Sequence, residues 1–141
     1  MRFRPLALAA VLALPPAAAV AQAAPAGARP DSLALARQYV AWFYANEVDS
    51  LWAHSAPGFR EDVGTADWWR QRADQFALRA GTETEVIEER FRMRNGRPQY
   101  WRTARFSDFA EPLLLRFVID DAGQIAGLGM GPLSQAPPTD D

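Results

Sequence analysis

The sequence contains no cysteine. Disulfides, thiolate nucleophiles and cysteine-based metal centres are therefore excluded. It contains no lysine either, so all fifteen basic residues are arginine. Schiff-base catalysis and pyridoxal-phosphate attachment both need a lysine amine and are excluded with it. The single histidine, His54, cannot build a multi-histidine metal site. Net basic charge is lacking too: the chain carries −2 over 141 residues, whereas nucleic-acid binding wants a basic patch on a basic domain. No cofactor is implied.

What is abundant is apolar surface. Hydrophobic residues make up 49% of the chain, and five tryptophans are many for one small domain. So much aromatic surface needs a core, a pocket or an interface to cover it. The length suits a single domain.

The first residues have a separate character. Arg2 and Arg4 precede an apolar stretch from Leu6 to Leu14, then Pro15-Pro16, then Ala19-Val20-Ala21. A charged start, a short apolar run and an A-x-A site form the pattern of a cleavable secretory signal at 1–21. Nine apolar residues before two prolines are too few for a membrane anchor, which needs about 20, so no stable membrane insertion is expected. Cleavage before Gln22 would leave a chain of net charge −4. The expected location is periplasmic or secreted. Residues 22–30 read as an Ala/Pro/Gly linker and 134–141 as a mobile acidic tail. The folded domain is then 31–133.

Within it, helical spacing comes first and period two afterwards. Asp31 or Ser32 caps a helix to about Glu47, with Leu33, Ala36, Val40, Phe43 and Tyr44 on one face. Asp49 caps a short helix that Pro57-Gly58 ends. Phe59 to Val63 reads as a short strand. Thr65 caps a third helix, whose buried face is Trp69, Ala73, Phe76, Ala77 and Ala80, and Gly81 closes it. Glu83–Arg94 and Arg97–Phe106 flank Asn95-Gly96, the signal for a two-residue type I′ hairpin. Leu113–Asp120 and Gln124–Met130 flank a second turn at Asp121-Ala122-Gly123. Helices followed by antiparallel strands give an α+β domain: three helices packed on a curved sheet of about four strands.

The Asn95-Gly96 turn sets a register. Phe91 faces Tyr100, Glu89 faces Arg102 and Ile87 faces Ala104. Glu89 and Arg102 then lie on the core-facing side among Ile87, Phe91, Met93, Tyr100 and Ala104. A carboxylate and a guanidinium suit a polar-dotted aromatic cavity better than a plain core. An ordinary cross-strand ion pair at the sheet edge is the alternative. The candidate pocket is Glu89, Tyr100, Arg102, Trp69 and His54, for a small apolar or anionic ligand. On the other face, Arg90 opposite Trp101 suggests cation–π stacking. A three-residue Asp-Ala-Gly loop puts Leu114, Val118, Leu128 and Met130 on one apolar outer face. A second copy of the chain, the tail or a loop would have to cover it.

The order of these elements, with Trp68-Trp69 opening the third helix, ends in Asp120-Asp121-Ala122-Gly123-Gln124-Ile125-Ala126-Gly127-Leu128 and Pro132. This order resembles the nuclear transport factor 2-like superfamily, the cystatin-like cone, and in it small secreted bacterial domains of uncharacterised function. The resemblance implies a sheet wrapped around a long helix with a pocket at the open end. Some members of that superfamily are isomerases or dehydratases and others only bind, so fold transfers no activity.

Three functions follow as expectations. One is a non-catalytic binding or accessory domain with an aromatic pocket. Another is a small cofactor-independent lyase or isomerase, with Glu89 or His54 as base and Tyr100 or Arg102 polarising the substrate. The third is a dimerisation module using the outer face. Glu61, Asp62 and Asp67 match no calcium-loop spacing and read as solvated.

Overall fold

The computed structural model describes residues 30–141, with side chains from residue 32 onwards. The expected leader at 1–21, and the linker as far as residue 29, lie outside the described residues. Pro30 already belongs to the first helix. The architecture is α+β. Helices α1 (Pro30–Tyr44), α2 (Val48–Ala53), α3 (Pro57–Val63) and α4 (Asp67–Ala80) precede strands β1 (Glu83–Arg94), β2 (Arg97–Phe106), β3 (Phe109–Ile119) and β4 (Ile125–Pro132). The strands form one open antiparallel sheet in the order β1-β2-β3-β4. A short 3₁₀ turn, Leu133–Gln135, follows.

Period-two alternation divides the sheet into two faces. On the inner face Tyr100, Ala104, Leu113, Leu115 and Phe117 meet Ala36, Tyr39, Val40 and Phe43 of α1 and Trp69, Ala73 and Phe76 of α4. Aromatic rings join the layers: Phe43 lies 6.5 Å edge-on to Phe117, and Phe76 lies 5.2 Å edge-on to Phe106. Trp69 is fully buried, and its Nε1 donates to Ser55 Oγ at 3.0 Å. Ser55 is pinned in turn, since Ile125 N–H donates to the His54 carbonyl and Ala56 N–H to the Ile125 carbonyl, each at 2.8 Å. The α2–α3 connection is thereby stitched to the start of β4.

Several expectations are corrected. Among the described residues there are four helices where three were read, because Phe59–Val63 is not a strand but most of α3. Pro57 does not end a helix; it opens one, occupying a first-turn position where its missing N–H costs nothing. Asp49 and Thr65 do not cap their helices, whose cap residues are Glu47 and Ala66. Ala77 faces solvent. Tyr39, absent from the expected α1 stripe, is among the most buried side chains, and its hydroxyl donates to the Gly123 carbonyl.

The hairpin turn forms as read, with Asn95 at φ 54° and Gly96 at φ 68°, the type I′ requirement. Glu89 pairs with Arg102 and Phe91 with Tyr100. Ile87 does not pair with Ala104; Val86 does. Six steps along β1, from Glu83 to Glu89, are matched by four along β2, from Phe106 to Arg102. The two extra residues, Thr84 and Ile87, sit at irregularities of the bulge type, which bend an edge strand.

A slip at Val118/Ile119 also changes the register of β4: Leu128 pairs with Phe117 and Met130 with Leu115. Directly paired residues share a face, so Leu128 and Met130 turn inward and pack against the core. Leu114 and Val118 stay on the outer face, paired with Gly131 and Gly127. The four residues expected to form one interface are therefore split between the two faces. Leu114 is already covered, since residues Gln135 to Pro137 lie over it and Arg116. The tail then reaches β1, where Asp140 N–H donates to the Met93 carbonyl at 2.8 Å and its carboxylate accepts from Gly96 N–H at 2.9 Å. Three residues from Pro137 to Asp140 span about 10 Å, which matches two strand spacings of about 4.8 Å. The tail, expected from composition to be mobile, thus crosses the outer side of β2. Trp101 is buried there, with Arg92 and Arg116 each 5.5 Å from its ring. Arg90 instead pairs with Glu88 at 3.2 Å.

Candidate functional site

The hairpin register carries Glu89 and Arg102 to the inner side beside Tyr100, where they enter a charged cluster. Arg102 grips Glu83 with two hydrogen bonds, Nε to Oε2 at 2.9 Å and Nη2 to Oε1 at 2.6 Å. Its Nη1 reaches Glu89 at 3.3 Å. From α1, Arg37 donates to Glu89 at 2.6 Å and the Tyr44 hydroxyl to Glu83 at 2.8 Å. The side chains of Arg102, Glu83 and Glu89 retain only 14%, 16% and 13% of their exposure. The cluster is thus closed over itself, and its charges are spent on one another.

The titration behaviour agrees with that geometry. Hydrogen bonding to Glu83, above all, raises the Arg102 guanidinium further above its ordinary value. Burial alone would push Glu83 upward, but the hydrogen bonds from Arg102 and Tyr44 outweigh it, and the carboxyl ends below its ordinary value. Burial, more than any other cause, pushes Tyr100 up to about 12. Glu89, the expected base, accepts from both Arg37 and Arg102, and a carboxylate so engaged is a poor general base. What the cluster does is bind α1 to the long hairpin.

The other expected pocket residues lie elsewhere. Trp69 is in the core. His54 is exposed at the end of α2, 4.7 Å from the Trp42 ring, with Nδ1 2.8 Å from the Ser50 carbonyl. A carbonyl can only accept, so Nδ1 carries the proton in that bond. Glu89, Tyr100 and Arg102 are brought together; His54 and Trp69 are not part of their cluster. Sequence reasoning missed Glu83, Arg37 and Tyr44. Glu83 shares the parity of Glu89, which was a usable signal, but its reach to Arg102 depends on the two extra residues in β1.

A groove opens on the same inner face toward the other edge of the sheet, between α4 and strands β3 and β4. It holds about 420 Å³, within the range of small-molecule sites. Phe76 and Ala80 of α4, Phe109 and Leu113 of β3, and Met130, Gly131 and Pro132 of β4 supply apolar walls. Arg72, Gln75 and Arg79 line the helix side. They fall at i, i+3 and i+7, one stripe of α4 flanking its buried face. Met130 is here because of the β4 slip that turned it inward. Among the described residues, no carboxylate, imidazole or hydroxyl side chain lines this groove. Among the described residues, no cluster of three acidic or histidine side chains could hold a metal ion, and no helix is long and apolar enough to cross a membrane.

Fold and site together define an α+β domain with a lined groove beside a four-stranded antiparallel sheet. Compared with protein-family models, with curated proteins and with solved structures, the chain matches none.

Proposed function

We propose that this chain is an exported, non-catalytic binding domain of the nuclear transport factor 2-like type, which holds a small apolar molecule in the groove between α4 and β3–β4. The observation that carries the proposal is the lining of that groove. Phe76, Phe109, Leu113 and Met130 offer apolar surface, and Arg72, Gln75 and Arg79 offer hydrogen-bond donors for orientation. Catalysis of proton transfer or acyl transfer needs a base or nucleophile within about 3 Å of the reacting atom, and this lining has neither. The alternative chemistry at Glu89 and Arg102 is disfavoured by their mutual engagement. Export rests on the leader pattern at 1–21, and the superfamily on the order of helices and then antiparallel strands.

The test is a thermal-shift screen of small apolar compounds against the chain beginning at Gln22. Hits should stabilise the wild type and an Arg102→Met variant alike, and should lose their effect when Met130→Trp fills the groove. Hits that survive Met130→Trp but vanish with Arg102→Met would overturn the proposal.

A further inference from the structure

Arg79 and Arg72 stand out in this groove because neither has an acidic partner among the described residues. Every ion pair among the described residues involves other arginines: 37, 70, 90, 92, 102 and 105. Arg72 is engaged in another way, with its guanidinium 5.2 Å from the centre of the Trp68 ring. Arg79 has neither an acidic partner nor a ring contact among the described residues. Seven residues of helix separate the two, about 10 Å along the axis, with Gln75 between them on the groove wall. The facing wall of Phe109, Leu113 and Met130 is apolar. One side of the groove is therefore cationic and the other is greasy. A neutral hydrocarbon would leave the guanidinium side unanswered, and a compact anion would leave the apolar wall wet.

We infer that the ligand is an amphipathic monocarboxylate, whose headgroup is bound by Arg79 and whose apolar chain runs along Phe109, Leu113 and Met130. The inference rests on the groove being the binding site. A planar guanidinium meets a carboxylate through two parallel hydrogen bonds, and Gln75 adds an amide donor on the same stripe. The absence of any carboxylate from the lining removes the repulsion that such a headgroup would otherwise meet.

Isothermal titration with three matched probes, decanoate, decanol and decyltrimethylammonium, tests this directly. Decanoate should bind at least about tenfold more tightly than decanol, the scale of one hydrogen bond to a charged group, and the cation should bind most weakly. Arg79→Gln should bring decanoate down to the level of decanol and leave decanol unchanged. Because Arg79 is exposed, that variant should keep its fold, which near-ultraviolet circular dichroism checks. Equal binding of decanoate and decanol to the wild type would overturn the carboxylate inference and leave the groove standing. Binding of no probe at all would remove both.

Discussion

Arg102 shows how a residue chosen for chemistry serves structure. Its guanidinium satisfies two carboxylates and lies 3.5 Å from the Tyr100 hydroxyl. Removing one member of a buried ion cluster strands the others, and typically costs about 3–5 kcal/mol. Residual exposure places the present case toward the low end. Arg102→Ala should therefore lower stability sharply in urea unfolding, whereas Arg102→Met with Glu83→Leu should recover most of the loss. If the double variant were as weak as the single, the cluster would not be acting as a mutually dependent unit.

The tyrosines give a second prediction at this scale. The chain has three, Tyr39, Tyr44 and Tyr100, and burial, the leading cause for each, raises all of their pKa values. A group whose folded pKa lies above its unfolded value, about 10 for tyrosine, stabilises fully below that value. The contribution disappears as pH rises through the folded pKa, which for Tyr100 is about 12. Thermal stability should fall as pH climbs from about 10 toward 12, and phenolate absorbance should show no tyrosine titrating at the free value. One tyrosine ionising normally would contradict this. Glu83 acts with the opposite sign: its depressed pKa adds stability above its unfolded value that is lost on acidification.

At the scale of elements, local chemistry was legible and accumulated register was not. Asn95-Gly96 specifies a two-residue turn because both positions need positive φ, so the pairing nearest it, as far as Glu89 and Arg102, follows from sequence. Beyond Glu88 the bulges intervene, and nothing local marks Ile87 as the extra residue. A single slip in β4 has larger consequences, since it turns Leu128 and Met130 from the outer face to the inner one. Pro57-Gly58 was ambiguous for a different reason, because proline closes one helix as readily as it opens the next.

Gly81 lends itself to a direct test. Its φ of 72° and ψ of −139° suit glycine, and a Cβ there would lie 2.1 Å from Ser107 Oγ. Gly81→Ala should destabilise by about 1–3 kcal/mol, read as a lowered denaturation midpoint. An unchanged midpoint would mean that the α4–β1 junction adapts. The tail is the other element with a clear consequence. Deleting residues 136–141 should uncover Leu114 and Trp101 and shift tryptophan emission to the red. Unaltered emission would show that the tail does not cover them.

At the scale of the whole molecule, the α+β division follows from the change of hydrophobic period after Gly81, but the groove does not. It arises where the flank of α4 meets β3 and β4, segments distant in sequence. The inner face thus carries two features toward opposite edges of one sheet: a charged cluster at β1–β2 that fastens α1 to the hairpin, and an apolar, arginine-edged groove at β3–β4, the site proposed for a ligand. Export should appear as a mature protein whose mass corresponds to a first residue of Gln22; retention of residues 1–21 in the exported fraction would contradict it.

Methionine methyl groups report on both places at once. Beyond residue 21 the sequence holds only two methionines, Met93, on the strand that carries Glu89, and Met130, in the groove. With methyl-labelled methionine, adding decanoate should move the Met130 resonance and leave Met93 in place. Movement of Met93 with Met130 unmoved would put the ligand at the charged cluster and contradict the account.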